Sequence, residues 1–289
     1  MDGRGAKRKL RKRRRFLQRA VRASVFSVMM IGITVLAMVT VRLVCAVAAQ
    51  CSDQWDTQSA GTMPGHIENY GNLGHAELLR KLEAEGYPES LIELMEKHPE
   101  TKEFVLDYME NKDKDADINV SKELSEGEIP LFLQWDERWG YKKYGSDFMA
   151  VTGCGPVCLS MVRCGLSGDA YWNPLEVARI AEKQGYYVDG AGSSWELMVS
   201  GAEQIGLMAY GISFDEGSIL SELQAGTPII CVVGPGDFTT TGHFIVLAGA
   251  DADGNITVKD PNSRQNSEKT WRIEELMPQI QNLWGYGLS

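Results

Sequence analysis

One of the six cysteines in this 289-residue chain, Cys154, has surroundings typical of a nucleophile. It lies in Thr152-Gly153-Cys154-Gly155-Pro156, and the apolar-rich residues 157–162 that follow predict a helix. A cysteine at a helix start lies near unpaired backbone N–H groups and the positive end of the helix dipole, which favour the reactive thiolate. Gly153 and Gly155 would let a substrate approach the sulfur and backbone donors, so both are predicted to bind substrate. The pattern predicts a catalytic cysteine.

A cysteine nucleophile needs a general base, and His243 is the only histidine between residues 129 and 289. It begins a predicted strand directly after a glycine-containing loop, so substrate would have room beside Gly242. A single histidine is often structural, but this position at a strand end favours a catalytic base. The remaining histidines fall in a linker and a helical spacer: His66, His75 and His98.

Asp260 is the candidate partner of His243, because the two strands predicted after the loop form a hairpin. A two-residue turn at Asp253-Gly254 would place Asp260 opposite Leu247, and a four-residue loop would place it opposite Ile245. Either position has the parity of His243, so both side chains project from one face, one or two diagonal steps apart. A one-residue slip would separate them, and the Asp-Pro pair would then serve only as a turn.

Helical patterns come first in this part of the chain and strand patterns come afterwards, which indicates an α+β domain with an antiparallel sheet. After the Cys154 helix, further helices are predicted over residues 175–182, 194–205 and 219–225. Strands are predicted over residues 228–233, 243–250 and 255–259.

The motifs Gln134, Gly153-Cys154-Gly155-Pro156, Gly242-His243-Phe244 and Asp260-Pro261 together resemble those of the bacteriocin-leader-processing cysteine peptidases, the thirty-ninth cysteine-peptidase family. The resemblance covers roughly residues 129–286. It implies a papain-like α+β fold, in which a helix carrying the cysteine packs on an antiparallel sheet carrying the histidine and aspartate. It implies no cofactor.

The resemblance also implies a role for each residue. Cys154 would be the nucleophile, His243 the base, and Asp260 the residue that orients the imidazole. Gln134 would build the oxyanion hole with the backbone N–H of Cys154. Gln134 and Cys154 are twenty positions apart, which is farther than in the leader peptidases, and an inserted loop over residues 138–150 would account for this.

The pattern of the N-terminal residues predicts that residues 50–289 are exported. Residues 4–22 contain eleven Lys/Arg, and residues 25–41 form a run of seventeen without a charge. This pattern favours a retained single-pass anchor over residues 23–49, with residues 1–22 in the cytoplasm and the catalytic domain outside. Ala46-Val47-Ala48 resembles a signal-peptidase site, so a cleaved signal peptide and a secreted protein are the alternative. The leader peptidases are fused to transporters with many membrane spans, whereas this chain has at most one predicted span. The resemblance therefore does not imply the substrate.

The residues after the predicted anchor are acidic, and their composition divides them into three parts. Twelve of the 29 Lys/Arg and one of the 39 Asp/Glu lie in residues 1–49, so the remainder has a formal charge of −21. Such an acidic body argues against nucleic acid as a partner. Residues 50–73 are predicted to be a linker, residues 74–127 a helical spacer and connector, and residues 128–289 the peptidase domain.

Two loops are predicted to be turns and not binding sites. Residues 190–195 are glycine-rich but lack the lysine and leading strand of a phosphate-binding loop, so they are predicted to be a turn before a helix, with Trp195 lining the cleft. Residues 251–255 resemble the opening of a calcium loop but lack its distal glutamate, which favours a hairpin turn. No metal site is predicted. Three other cysteines lie in apolar surroundings and are predicted to be buried thiols: Cys158, Cys164 and Cys231.

The favoured interpretation is an extracytoplasmic thiol hydrolase that cleaves peptide or other amide bonds in a peptide or protein substrate through a Cys154 acyl-enzyme. A transpeptidase or cell-wall amidase would use the same three residues and differ in the acceptor or the substrate. A non-catalytic surface-binding module on the same scaffold is the alternative from another class. It does not require the thiol, imidazole and carboxylate to persist together.

Overall fold

The structure is a computed structural model that describes Tyr70 and residues 73–289. The predicted anchor and nearly all of the predicted linker lie outside these residues. Within the described part of the chain, no helix is both long and apolar enough to cross a membrane. The four described cysteines are all free thiols: Cys154, Cys158, Cys164 and Cys231.

Eleven α-helices occur in the described residues. Four of them precede residue 112: α1 His75–Ala84, α2 Glu89–Lys97, α3 Lys102–Leu106 and α4 Tyr108–Asn111. The others are α5 Met149–Thr152, α6 Cys154–Ser167, α7 Pro174–Lys183, α8 Ser200–Gln204, α9 Glu216–Gln224, α10 Arg264–Glu268 and α11 Ile273–Leu276. Short 3-10 helices cover Pro99–Thr101, Ser121–Glu123, Ala170–Trp172, Trp195–Met198 and Met277–Gln279.

The strands form two small hairpins and one large sheet. The hairpins pair β1 Lys143–Tyr144 with β2 Asp147–Phe148, and β3 Tyr187–Val188 with β4 Gly192–Ser193. The large sheet is antiparallel throughout, in the order β5-β10-β6-β7-β8-β9. Its strands are β5 Leu207–Gly211, β6 Ile229–Val233, β7 His243–Ala250, β8 Ile256–Lys259, β9 Thr270–Trp271 and β10 Ile280–Leu288.

Alternating residues of β7 belong to two hydrophobic clusters, one on each face of the sheet. Phe244 and Val246 join the cluster that contains the buried residues of α6. Ile245 and Leu247 join the cluster that contains Ile219 of α9. Each buried aliphatic side chain of this kind contributes about 1.5–3 kcal/mol to folding. Helix α6 is therefore fixed against the strand that begins with the predicted base.

The mixed α and antiparallel β architecture is confirmed, and most element predictions lie within two residues of the structure. The predicted helix over residues 194–205 is wrong as a single element. It is a 3-10 helix followed by α8, with the break at Val199, whose φ and ψ are −111° and −78°. The sequence prediction also missed β5 and β10. Glycine disfavours strands, and β10 contains Gly285, where a Cβ would lie 2.9 Å from side-chain atoms of Tyr210.

Candidate active site

Cys154 is the first residue of α6, and Gly153 is its N-cap. Helix α5 ends just before it, so two short helical segments meet at the cysteine. Gly153 fits this junction because a Cβ there would lie 2.5 Å from the backbone oxygen of Met149. The side chain of Cys154 is half-buried and keeps part of its surface in solvent. This placement puts the thiol beside the unpaired N–H groups of a helix start.

His243 begins β7 and is hydrogen-bonded to Asp260 just beyond the end of β8. Its Nε2 lies 2.7 Å from Oδ1 of Asp260, and the two residues are 7% and 1% exposed. The strand register explains the contact, because Lys259 pairs with Val246 after a bulge near Ala248. Continued by one residue, this register places Asp260 beside position 245, one diagonal step from His243. The structure thus brings together the predicted base and the predicted carboxylate.

The carboxylate of Asp260 is held by donors on both oxygens. Oδ1 also accepts from the backbone N–H of Asn262 at 2.8 Å, and Oδ2 accepts from Nδ2 of Asn266 at 2.8 Å. Burial alone would raise the pKa of Asp260, but the charge and hydrogen bond of His243, with these donors, hold that pKa below its ordinary value. The carboxylate therefore stays charged in a nearly closed site.

Cys154 and His243 shift each other's pKa. Burial would raise the pKa of the Cys154 thiol, but His243 and backbone hydrogen bonds involving Phe244 and Gly155 lower it. Burial would lower the pKa of His243, but the charge and hydrogen bond of Asp260, together with Cys154, raise it to about 10. The pair favours thiolate with imidazolium. Since Asp260 engages Nε2, the nitrogen left for Cys154 is Nδ1.

Gln134 is buried, 2% exposed, next to the turn that precedes the cysteine. Its Nε2 donates to the backbone oxygen of Ala150 at 2.6 Å, in α5, which leaves one amide hydrogen for another acceptor. Its backbone N–H donates to the oxygen of Pro261 at 2.7 Å. The extra residues between Gln134 and Cys154 form the β1–β2 hairpin and α5. These elements account for the long spacing, and the bond to Ala150 keeps Gln134 next to the segment that leads into Cys154.

The other predicted site residues have mixed surroundings. The space at Gly155 is filled by Ser193, whose Oγ would lie 2.6 Å from an added Cβ. Nothing lies within 4 Å of a Cβ built on Gly242. Trp195 is 47% exposed, and its ring packs edge-on against Trp284 at 6.1 Å between centroids. Substrate contacts by Gly153, Gly155, Trp195 and Gly242 stay predictions.

Comparison with known proteins identifies the family. The family model described as the Peptidase_C39 like family matches residues 126–286, more than half of the chain. The chain belongs to the Peptidase_C39 like family. The resemblance seen in the sequence motifs is thereby confirmed, and with it a C39-like, papain-like cysteine peptidase scaffold. A comparison with curated proteins finds no match.

Two solved structures share a distant likeness with this Peptidase_C39 like chain. One is a double glycine motif protease from an AMS/PCAT transporter in complex with the leader peptide, at 19% identity and a TM-score of 0.37, covering 57% of this chain and 95% of that one. The other, assigned as a C39-like peptidase from Bacillus anthracis, has 13% identity and a TM-score of 0.36, covering 61% of this chain and 99% of that one.

Several polar residues around the Peptidase_C39 like site were not found by the sequence prediction. Asn266 and Asn262 bond Asp260 from the segment that follows it, and His98 lies 2.8 Å from Nδ2 of Asn262 through its Nε2. The two asparagines could have been suspected from their closeness to Asp260 along the chain. No local signal indicates His98, because its contact joins residues 164 positions apart.

The loop over residues 251–255 is a hairpin turn in which Asp251 binds its own neighbours. Its Oδ1 accepts from the backbone N–H groups of Asp253 and Asn255. Within the described residues, no cluster of His, Cys, Asp and Glu side chains is arranged to hold a metal ion.

The thiolate–imidazolium pair predicts how stability varies with pH. The ordinary pKa values of cysteine and histidine are 9.0 and 6.5. Between them the unfolded pair holds one proton, and so does the folded pair. The lowered pKa of Cys154 adds stability that is complete above pH 9 and lost as pH falls. The raised pKa of His243 adds stability that is complete below pH 6.5 and lost as pH rises towards about 10. Where both shifts act, up to pH 9, these two slopes oppose each other.

We therefore expect the pair to contribute a plateau of stability with a fall on either side. Above pH 9 the fall should approach about 1.4 kcal/mol per pH unit, since one more proton is bound in the folded state. The measurement is urea unfolding of the wild type and of a Cys154→Ala/His243→Ala variant from pH 5 to 10. The difference in unfolding free energy isolates the pair. A difference that does not fall between pH 9 and 10 would contradict the raised pKa of His243 and the paired ionisation.

Proposed function

We propose that this chain is an extracytoplasmic cysteine peptidase that hydrolyses peptide bonds through Cys154, His243 and Asp260. The observation that carries the proposal is the 2.7 Å bond between His243 Nε2 and Asp260 Oδ1, beside Cys154, whose pKa His243 lowers. A binding module would gain nothing from two buried ionisable groups tuned towards a partly buried thiol. Membership of the Peptidase_C39 like family supports the same activity.

The first half of the reaction is acylation. The thiolate of Cys154 attacks the carbonyl carbon of the scissile peptide bond and forms a tetrahedral oxyanion. The oxyanion would be stabilised by the N–H of Cys154 and the second amide hydrogen of Gln134. The imidazolium of His243 then gives its Nδ1 proton to the leaving amine, and the C–N bond breaks. The products of this half are a thioester on Cys154 and a free amine.

The second half is deacylation. Neutral His243 now accepts a proton from water, and the resulting hydroxide equivalent attacks the thioester. The carboxylic acid leaves, and the proton returns the pair to thiolate and imidazolium. Asp260 keeps the ring oriented in both halves through Nε2 and does not exchange a proton. An amine that replaces water in this half would turn the same site into a transpeptidase.

The substrate is proposed to be a peptide or protein outside the cell membrane, with no nucleic acid partner. The basic residues 1–22 and the apolar residues 23–49 support a single-pass anchor, and a cleaved signal segment would give a secreted form. Protease protection in whole cells, probed with tags at either end of the chain, tests the orientation. Protection of the C-terminal tag in intact cells would oppose this topology.

Incubation of the chain with a diverse peptide library, followed by mass spectrometry, tests the activity. New peptide termini should appear with the wild type and disappear after alkylation of Cys154. Products carrying an added amine instead of water would assign transfer, and an absence of both kinds of product would oppose an enzyme.

The proposed oxyanion role of Gln134 gives a separate prediction. Gln134→Ala should lower kcat about 10²-fold with little change in KM, because the lost donor acts on charge that develops in the transition state. The rate of Cys154 alkylation should stay close to that of the wild type, since no oxyanion forms in that reaction. Gln184→Ala, at an exposed position, is the matched control. A kcat within twofold of the control would remove Gln134 from the mechanism.

A further inference from the structure

The turn that follows α2 contacts the segment that carries Asp260. Nε2 of His98 lies 2.8 Å from Nδ2 of Asn262. The two carboxylate oxygens of Glu100 accept from Ser263 Oγ and from the backbone N–H of Arg264, the latter at 2.9 Å. These contacts join residues more than 160 positions apart in the chain. The helical segment before residue 112 therefore directly contacts the segment that carries Asp260.

The bonds of Glu100 lead to the carboxylate of Asp260 through one short element. Ser263 is the N-cap of α10, and its Oγ accepts from the backbone N–H of Asn266 at 3.1 Å. Nδ2 of Asn266 then donates to Asp260 Oδ2 at 2.8 Å. From the same helix, Ser267 Oγ accepts from the backbone N–H of Asp260 at 2.9 Å. A shift of the start of α10 would therefore move the donors that hold Asp260.

The other side of the same helical segment is fixed to the chain that leads into Cys154. Ser90 Oγ donates to Asp147 Oδ1 at 2.8 Å, next to the start of α5. Tyr141 stacks on Phe104 at 4.2 Å between ring centroids, and its hydroxyl donates to the backbone oxygen of Phe104 at 2.7 Å. The segment thus connects the part of the chain before the nucleophile with the part after the carboxylate.

We propose that Glu100, together with His98, is a positioning residue for Asp260 and acts through Ser263 and α10. This inference rests on the proposed function, because it gives Asp260 the role of orienting His243. Small displacements of such supports are costly, since catalysis depends on geometry finer than about 1 Å. Residues 134 and 135 also bond this loop, so Glu100 supplies one of several supports and its loss should leave the fold intact.

The test uses the full chain with Glu100→Ala, Glu100→Gln and Glu103→Ala. Glu103 is an exposed acid on the neighbouring turn and is the matched control. Glu100→Ala should lower kcat about tenfold with KM unchanged. It should also move the acidic limb of iodoacetamide labelling of Cys154 to higher pH, because a displaced Asp260 stabilises the imidazolium less. Glu100→Gln keeps an oxygen acceptor and should recover part of both effects.

Coupling distinguishes positioning from general stability. In an Asp260→Asn background, Glu100→Ala should cause no further shift of the labelling profile, because the residue on which it acts is already changed. A labelling profile that matches Glu103→Ala, with only the unfolding midpoint lowered, would overturn the positioning role. The wild type separates the two proposals. Slow labelling of Cys154 in the wild type itself would overturn the proposed function, whereas fast wild-type labelling with unmoved Glu100 variants would overturn this inference alone.

Discussion

Cys154→Ala should reduce peptide hydrolysis by about 10⁴-fold or more at neutral pH. The substitution removes the only atom that forms a covalent intermediate in the proposed reaction, and the remaining groups can then do no more than bind and polarise the substrate. The α6 start should persist, because alanine occupies the cysteine position without new bulk. The measurement is the rate of product formation by mass spectrometry with a peptide that the wild type cleaves.

Cys164→Ala is the matched control for this loss. Cys164 lies near the other end of α6, is fully buried and donates through Sγ to the backbone oxygen of Trp172 at 3.4 Å. Its removal should lower stability and leave the rate per folded molecule unchanged. Measurable turnover by Cys154→Ala, within tenfold of the wild type, would mean that another residue performs the chemistry.

His243→Ala should lower hydrolysis by about 10³-fold or more, because one side chain supplies both the proton for the leaving amine and the partner of the thiolate. Without the imidazolium, the largest remaining influence on Cys154 is burial, which raises the pKa of its thiol. Labelling of Cys154 at neutral pH should then slow towards the rate of an unactivated thiol, while Cys158, whose pKa burial raises well above the ordinary value, stays nearly unlabelled in both proteins. Peptide mapping after timed iodoacetamide treatment measures both cysteines in one sample.

His75→Ala is the control for this second prediction. His75 lies on α1, with its Nε2 3.7 Å from a carboxylate oxygen of Glu96. It should keep wild-type rates of hydrolysis and labelling. If His243→Ala labelled Cys154 as fast as the wild type does at neutral pH, the low pKa of the thiol would have to come from the helix start alone.

Local sequence signals led to the prediction of Cys154, His243 and Asp260 as site residues, and the structure places His243 in contact with Asp260. Cys154 stands out by its glycines and the helix after it, and His243 by being alone in its part of the chain. Asp260 lies on the predicted face because the bulge near Ala248 leaves Lys259 in one of the two predicted registers. With the bulge absent or doubled, the same sequence would place Asp260 on another face.

The parts that the sequence did not predict depend on contacts distant along the chain. Strand β10 contains glycines that disfavour a strand locally, yet it is stabilised between β5 and β6 by pairing on both edges. In the sequence, Glu100 looks like any acidic residue at a helix start. Its contact with Ser263 forms only when the chain is folded. Tertiary contacts of this kind leave no periodic pattern in the sequence from which they could be predicted.

In the proposed mechanism, Cys154 exists as a thiolate paired with the imidazolium of His243. The direct measurement is the rate of iodoacetamide labelling at Cys154 in the wild type from pH 4 to 10, mapped by peptide mass spectrometry. We expect fast labelling whose acidic limb lies below the ordinary cysteine value of 9.0, with Cys158 and Cys231 nearly unlabelled across the range. A rate that rises only as the pH approaches 9, like that of a free thiol, would contradict the paired state and the peptidase mechanism built on it.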